Sequence, residues 1–255
     1  MVEVLPIFKS HYSIGRSILT LKHPDNMIEN GPDSIIDICL QNKFNELVLV
    51  DDNMRGFLEA YTITRDLGIS LKFGLRISVT ADHEDKSNDS LTKTCKYIIF
   101  PKNLNGFERL IKIFSHAAKE GFYYVPRTDF KSIKSFWSED DLALVVPFYD
   151  SFIFNNVLYG YNCVPEIDFT NPKFILESHS LPFDDLIRKK VDFYTKNKYD
   201  TQEAKSIYYN LRKDFKSYLT FRCINNRSTL EKPNLNHRCG DTFSFEEWRE
   251  QNGTV

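Results

Sequence analysis

Apolar positions recur along the chain in short runs whose period switches between that of a helix and that of a strand. Residues 34–44 place Ile35, Ile36, Ile38, Cys39 and Leu40 at helical spacing and lead into the continuous run Leu47-Val48-Leu49-Val50, which reads as a buried strand. Residues 57–67 have a helical pattern that stops at Gly68, a residue suited to the left-handed turn that closes helices. A strand is predicted over 71–79, followed by a polar surface loop over 81–94. Residues 96–100 give another strand, and 105–119 a helix with Phe107, Leu110, Ile111 and Phe114 on one face, closed by Gly121. Short apolar strands follow at 142–146 and 173–176. This alternation is what a barrel of βα units requires.

A chain of 255 residues suits one large α/β domain, and 42% hydrophobic with 14% aromatic residues supplies a core and excludes global disorder. The net charge of −2 predicts no bulk attraction to nucleic acid, so any such contact must come from a local patch. Residues 188–216 are the candidate: nine basic against four acidic residues, interleaved with Phe193, Tyr194, Tyr199, Tyr208, Tyr209 and Phe215. Arg188, Lys189, Lys190 and Tyr194 could stack bases and contact phosphates of a single strand. The preferred reading is a pair of helices with aromatics packed inward and charges solvated. Near the end, Phe243-Ser244-Phe245-Glu246-Glu247-Trp248 has two open readings. It is either a partner-docking peptide anchored by Phe245 and Trp248, or a helix capped by Ser244 with Glu247 at its third position.

Five cysteines without a CxxC pair point to a reducing compartment, so a cytoplasmic protein is expected. His237-x-Cys239 falls short of the donors a zinc site needs, and His116 and His179 read as surface or lightly buried histidines. No run of eighteen apolar residues and no basic region followed by an apolar run is present, so no membrane partner is expected.

Several stretches carry a family resemblance. Phe8-Lys9-Ser10-His11, then Ser13, sits where the family opens with a His-x-His strand; residues 47–56 resemble an apolar strand ending in a Thr-Asp-His motif, with Asp52 in place of the histidine. Leu71-Lys72-Phe73-Gly74-Leu75-Arg76 looks like a strand that ends Gly-Cys-Glu. Lys96 begins a strand and helix leading to Glu120-Gly121-Phe122-Tyr123-Tyr124-Val125-Pro126-Arg127, and Phe221-Arg222-Cys223-Ile224, Thr229-Leu230 and Pro233-Asn234 look like the join to a polymerase palm. Together they resemble the PHP (polymerase and histidinol phosphatase) domain at the N-terminus of bacterial DNA polymerase III alpha subunits. The resemblance implies an α/β fold, a distorted (β/α)7-type TIM-like barrel, over residues 1–235, with residues 236–255 as a tail holding at most a short helix. It also implies a stand-alone copy without the palm, and the abundance of Asn, Lys, Phe and Tyr suggests a bacteriophage source.

By that resemblance the family binds two or three divalent cations with histidines and carboxylates and hydrolyses phosphate esters. Here the matching positions carry Lys9, Asp52, Arg76 and Lys96, with Phe148 at a later ligand position and Lys196 and Lys198 at the closing Asp-x-His; His11 and Asp51 remain. Lysine and arginine offer no lone pair to a cation. No catalytic residue, metal or other cofactor is therefore expected, and Asp51 and Asp52 should lie within reach of Lys9, Arg76 or Lys96. The expected function is a non-enzymatic replication-associated module that binds a proofreading exonuclease or polymerase subunit. Two alternatives stand beside it: a phosphoesterase or 3′–5′ exonuclease with one metal on His11, Asp51 and Asp52, and a single-stranded nucleic-acid binder.

Overall fold

Strand β1 (Leu5–Phe8) opens the structure, a computed structural model that describes residues 4–231 and 237–253. Helix α1 (Ile35–Gln41) begins at Ser34, whose Oγ accepts the Ile36 N–H, and feeds β2 (Glu46–Asp51), buried along all but its first residue. Helix α2 (Phe57–Asp66) runs on to Gly68, whose φ of +72° is the left-handed conformation expected there. Then come β3 (Ser70–Thr80), β4 (Cys95–Pro101), α3 (Leu104–Lys119), β5 (Arg127–Asp129), α4 (Phe130–Phe136), β6 (Leu142–Val146), α5 (Phe152–Tyr159), β7 (Lys173–Leu176), α6 (Asp184–Thr195), β8 (Thr201–Ile207), α7 (Phe215–Asn225) and α8 (Phe245–Asn252). The strands form one sheet in the order β2-β1-β8-β7-β6-β4-β3-β5, with β2 also paired to β3. Seven strands thus close into the expected barrel, with helices around it, and β5 is added beyond β3.

The chain divides into two compact units, the first made of Met1–Phe73, Ser178–Leu181 and Glu203–Val255, the second of Gly74–Glu177 and Pro182–Gln202. In the first, β1 lies parallel to both neighbours, with Ile7 opposite Val48 on one side and Ser206 on the other. Strand β8 is a correction to the pair of helices expected over 188–216: α6 ends at Thr195 and the chain turns extended. Its sequence, Thr-Gln-Glu-Ala-Lys-Ser-Ile, has no apolar alternation, because buried Lys205 stands where a hydrophobic residue would usually be. Its ammonium is satisfied from α8, by Gln251 Oε1 at 2.9 Å and Glu247 Oε1 at 3.7 Å.

Helix α8 is capped as its sequence suggests, the Glu247 N–H donating to Ser244 Oγ at 3.2 Å. Phe245 and Trp248 are 2% and 4% exposed. Phe245 stacks on Phe8, Trp248 meets Phe44 edge-on at 5.6 Å, and the indole N–H donates to the Val4 carbonyl at 2.9 Å. Both rings are therefore spent on the chain's own core, where each buries roughly 150–250 Å², and neither is presented to a partner.

In the second unit, β4 is antiparallel to both β3 and β6, whereas β3–β5 and β6–β7 are parallel. No helix crosses over between β3 and β4; residues 81–94 hold only a short 3-10 turn, and a chain that returns without a crossover must run antiparallel. That is the local distortion of the barrel. Helix α3 is capped by Asn103, which accepts the Gly106 N–H at 2.9 Å, and turns Leu110, Ile113 and Ala117 inward, with about 1.5–3 kcal/mol gained for each large aliphatic side chain buried. Gly121 matters for a reason other than ending that helix: a Cβ there would lie 1.8 Å from the Arg127 carbonyl oxygen, so only glycine lets β5 approach.

The attachment of α8 to β8 makes stability depend on acid. Burial pushes the Glu247 carboxyl up, but the hydrogen bond from Arg212 and the charge of Lys205 outweigh it and hold it below its ordinary range. A depressed folded value contributes stability above the unfolded value, about 4.3 for glutamate, that is lost as the pH falls through the folded one. Urea titrations should therefore show this loss on the acid side, and Glu247→Gln should flatten it.

Candidate functional site

The end of β1 and the end of β2 meet in the first unit around a buried carboxylate. Asp51 is 0% exposed and accepts three hydrogen bonds: from the Ser10 N–H at 3.0 Å, the Ser10 hydroxyl at 2.6 Å and the Ser13 hydroxyl at 2.7 Å. Both hydroxyls are oriented by the backbone, since Ser13 Oγ accepts the Asp52 N–H at 2.9 Å and Ser10 Oγ accepts the Tyr12 N–H at 3.3 Å. Each is left with its proton to give to Asp51. Burial pushes the Asp51 carboxyl above its ordinary range, against the Lys9 ammonium and the serine donors.

Asp52, next along the chain, takes the cations. Lys9 Nζ stands 3.1 Å from its Oδ1 and Arg16 Nε 3.8 Å from its Oδ2, with the Lys9 side chain 6% exposed. The expected pairing with Lys9 is thus found at Asp52, while Asp51 is held by hydroxyls; Arg16 was not singled out in the sequence. His11 lies beside Tyr12, ring centroids 4.3 Å apart, its Nδ1 buried and without a partner among the described residues. His11, Asp51 and Asp52 do not form a group of three donors within 4.8 Å of one another.

The second unit holds the other positions. Arg76, buried on β3, pairs with Asp150, a residue the sequence reading passed over. The Asp150 carbonyl also accepts the Lys96 N–H at 2.8 Å, and Lys96 Nζ donates to Ser78 Oγ at 2.6 Å across the β3–β4 pair. Phe148 is fully buried with its ring edge-on to Tyr149. Lys196 and Lys198 are exposed just after α6, Lys198 lying 3.4 Å from Asp168 and over the Tyr199 ring. On α6 itself Lys189 and Lys190 are exposed and Arg188 is half-buried, while Tyr194 packs on Phe152, Phe174 and Tyr199. Pro233 and Asn234 lie outside the described residues.

These residues do not fit the metal centre that the resemblance implies. Lys9, Arg76 and Lys96 cannot ligate a cation, and three of the roughly four lone-pair directions of Asp51 already receive donors. What the arrangement does chemically is neutralise charge and tie strand ends together.

A family model, "PHP domain", matches residues 29–152, just under half of the chain. Over 82 residues the chain is 33% identical to DNA polymerase III subunit alpha of Helicobacter pylori, a stretch that makes up 32% of this chain and 7% of that protein. The chain therefore corresponds to a small part of the length of that relative. The PHP resemblance read from the sequence is shown by these matches, together with the barrel.

Removing the Asp51 carboxylate would strand one backbone N–H and two buried hydroxyls, at about 1–3 kcal/mol each. Asp51→Ala should accordingly lower unfolding free energy by about 3 kcal/mol or more in urea titrations, and Asp52→Ala, at a partly exposed site, by clearly less. A double-mutant cycle of Lys9→Met with Asp52→Asn should return a coupling of about 0.5–3 kcal/mol. A coupling of zero would remove the ion pair from the account.

Proposed function

We propose that this chain is a PHP domain without metal-dependent hydrolysis that serves DNA replication as a binding module, its partner a proofreading exonuclease or polymerase subunit. The observation that carries the reading is the Lys9–Asp52 pair beside an Asp51 whose acceptors are already filled. Open-site catalysis needs several protein ligands and one free position on the metal, so that bound water loses its proton near neutral pH. A lysine ammonium at 3.1 Å from one carboxylate, and serine donors on the other, leave neither group available for that work. The replication context comes from the similarity to a DNA polymerase III alpha subunit. Binding by such a domain needs only a stable surface, and the internal pairing keeps the fold stable without an ion.

Two assays test this. Hydrolysis of bis(p-nitrophenyl) phosphate and of 3′-labelled single-stranded DNA with Mn²⁺, Mg²⁺ or Zn²⁺ should not exceed the rate with the metal ions alone. Calorimetric titration against a purified bacterial proofreading exonuclease subunit should give a saturable complex. Hydrolysis that disappears in Asp51→Asn would instead establish the reduced-site enzyme, and salt-sensitive binding of single-stranded DNA with no protein complex would establish the nucleic-acid reading.

A further inference from the structure

Four metal-capable side chains from three segments of the second unit lie near one another, three of them in one tight group, and none of them is a position matched to the family's ligands. The chain leaves β3 at Thr80 and turns so that Asp82 and His83 meet the end of β5. His83 approaches Asp129 twice, its N–H at 3.3 Å and its Nδ1 at 2.6 Å from Oδ2. Asp82, His83 and Asp129 each offer a donor atom within 4.8 Å of the others'. His116, on α3, places its ring 4.8 Å from that of His83, and its Nδ1 is buried with no hydrogen-bond partner among the described residues. A buried ring nitrogen without a partner is uncommon in folded proteins and calls for an explanation.

We propose that Asp82, His83, Asp129 and His116 hold one zinc-class divalent ion that fastens the segment after β3 to β5 and α3. Two carboxylates neutralise a dication, and two imidazoles supply the nitrogen donors that zinc and its first-row neighbours favour. Donors about 2.1 Å from a tetrahedral ion lie roughly 3.4 Å apart, so binding would part His83 Nδ1 from Asp129 Oδ2, now 2.6 Å away, and draw in Asp82 and His116, the latter lying outside the group of three. Asp82 is exposed, on the loop between β3 and β4, and leaves the cluster open to solvent. Asp129 is held by three contacts, its Oδ1 accepting the Ser132 N–H at 2.7 Å as the cap of α4 and its Oδ2 meeting the His83 N–H and ring nitrogen; unlike the two hydroxyls on Asp51, the ring can release its proton to solvent and let an ion take that place on Oδ2. The ion would give the unpartnered His116 nitrogen a bond. It would also tie down a fourteen-residue connection, residues 81–94, that has no helix of its own apart from a 3-10 turn. None of these residues enters the proposed loss of hydrolysis, so either proposal can fail alone.

The test uses the full chain after chelator treatment and dialysis. Titration with Co²⁺ should saturate at one equivalent with visible absorption of a four-coordinate site, Zn²⁺ should displace it, and Zn²⁺ should raise the melting temperature. His83→Gln and His116→Gln should each weaken Co²⁺ binding at least about tenfold. Asp129→Asn should do the same while keeping the α4 cap, since asparagine also caps helices. Asp82→Asn, on the exposed side, serves if another variant does not fold. Asp51→Asn should leave binding unchanged. No saturable site at one equivalent, or an affinity unmoved by His83→Gln and His116→Gln, would overturn the proposal.

Discussion

A buried carboxylate that must find its hydrogen-bond donors within the chain fixes the arrangement at the ends of β1 and β2. Asp51 ends a strand with five of its six residues buried, and an unpartnered carboxylate there would cost several kcal/mol. Ser10 and Ser13 meet the demand from the turn after β1, and the Asp52 and Tyr12 amides hold their hydroxyls in the donating direction. One acceptor therefore sets the register between β1 and β2, the path of the turn, and the direction in which Asp52 leaves the strand. Lys9 follows from that geometry: beside two neighbouring carboxylates, one of them fully buried, an ammonium has a clear electrostatic role.

The same logic operates in the second unit with different residues. Arg76 has Asp150, and Lys96 has Ser78 Oγ and the Asp150 carbonyl for its side chain and backbone in turn. Three positions matched to cation ligands of the resembled family, Lys9, Arg76 and Lys96, here carry cations of their own, each with a partner inside its own unit. A metal-dependent enzyme keeps such groups poised and partly unsatisfied for substrate; here Asp51, Asp52 and the three basic side chains have partners, and the buried His11 Nδ1 has none among the described residues. Stability without an ion is what the proposed binding module needs, and this internal pairing is the physical ground on which the proposal rests.

How much of this could be read in the sequence depended on whether the signal was local. β6 and β7 were predicted at the residues where they occur, because runs of five and three consecutive apolar residues between polar or turn residues have few alternatives. Gly68 was legible as a helix stop, and Ser244 with Glu247 as a helix start. β8 was not, because its buried positions include Lys205 and its stabilising partners lie more than forty residues away on α8. The role of Gly121 depended on a carbonyl six residues on in sequence. Lys9 and Asp52 could be matched only through the family resemblance, since they are 43 residues apart. Asp82, His83, His116 and Asp129 fit no motif of fixed spacing, and His116 looked unremarkable until its buried nitrogen and its neighbour His83 were seen together.

The central claim is that Asp51 and Asp52 bind the chain's own donors and cations in place of a metal. Calorimetric titration of Mn²⁺ into the chelator-treated protein, run beside the Asp51→Asn and Asp52→Asn variants, tests it most directly. The account predicts that the three isotherms coincide, any ion taken up elsewhere being unaffected by either change. A Mn²⁺ site present in the unsubstituted chain and lost in both variants would contradict it.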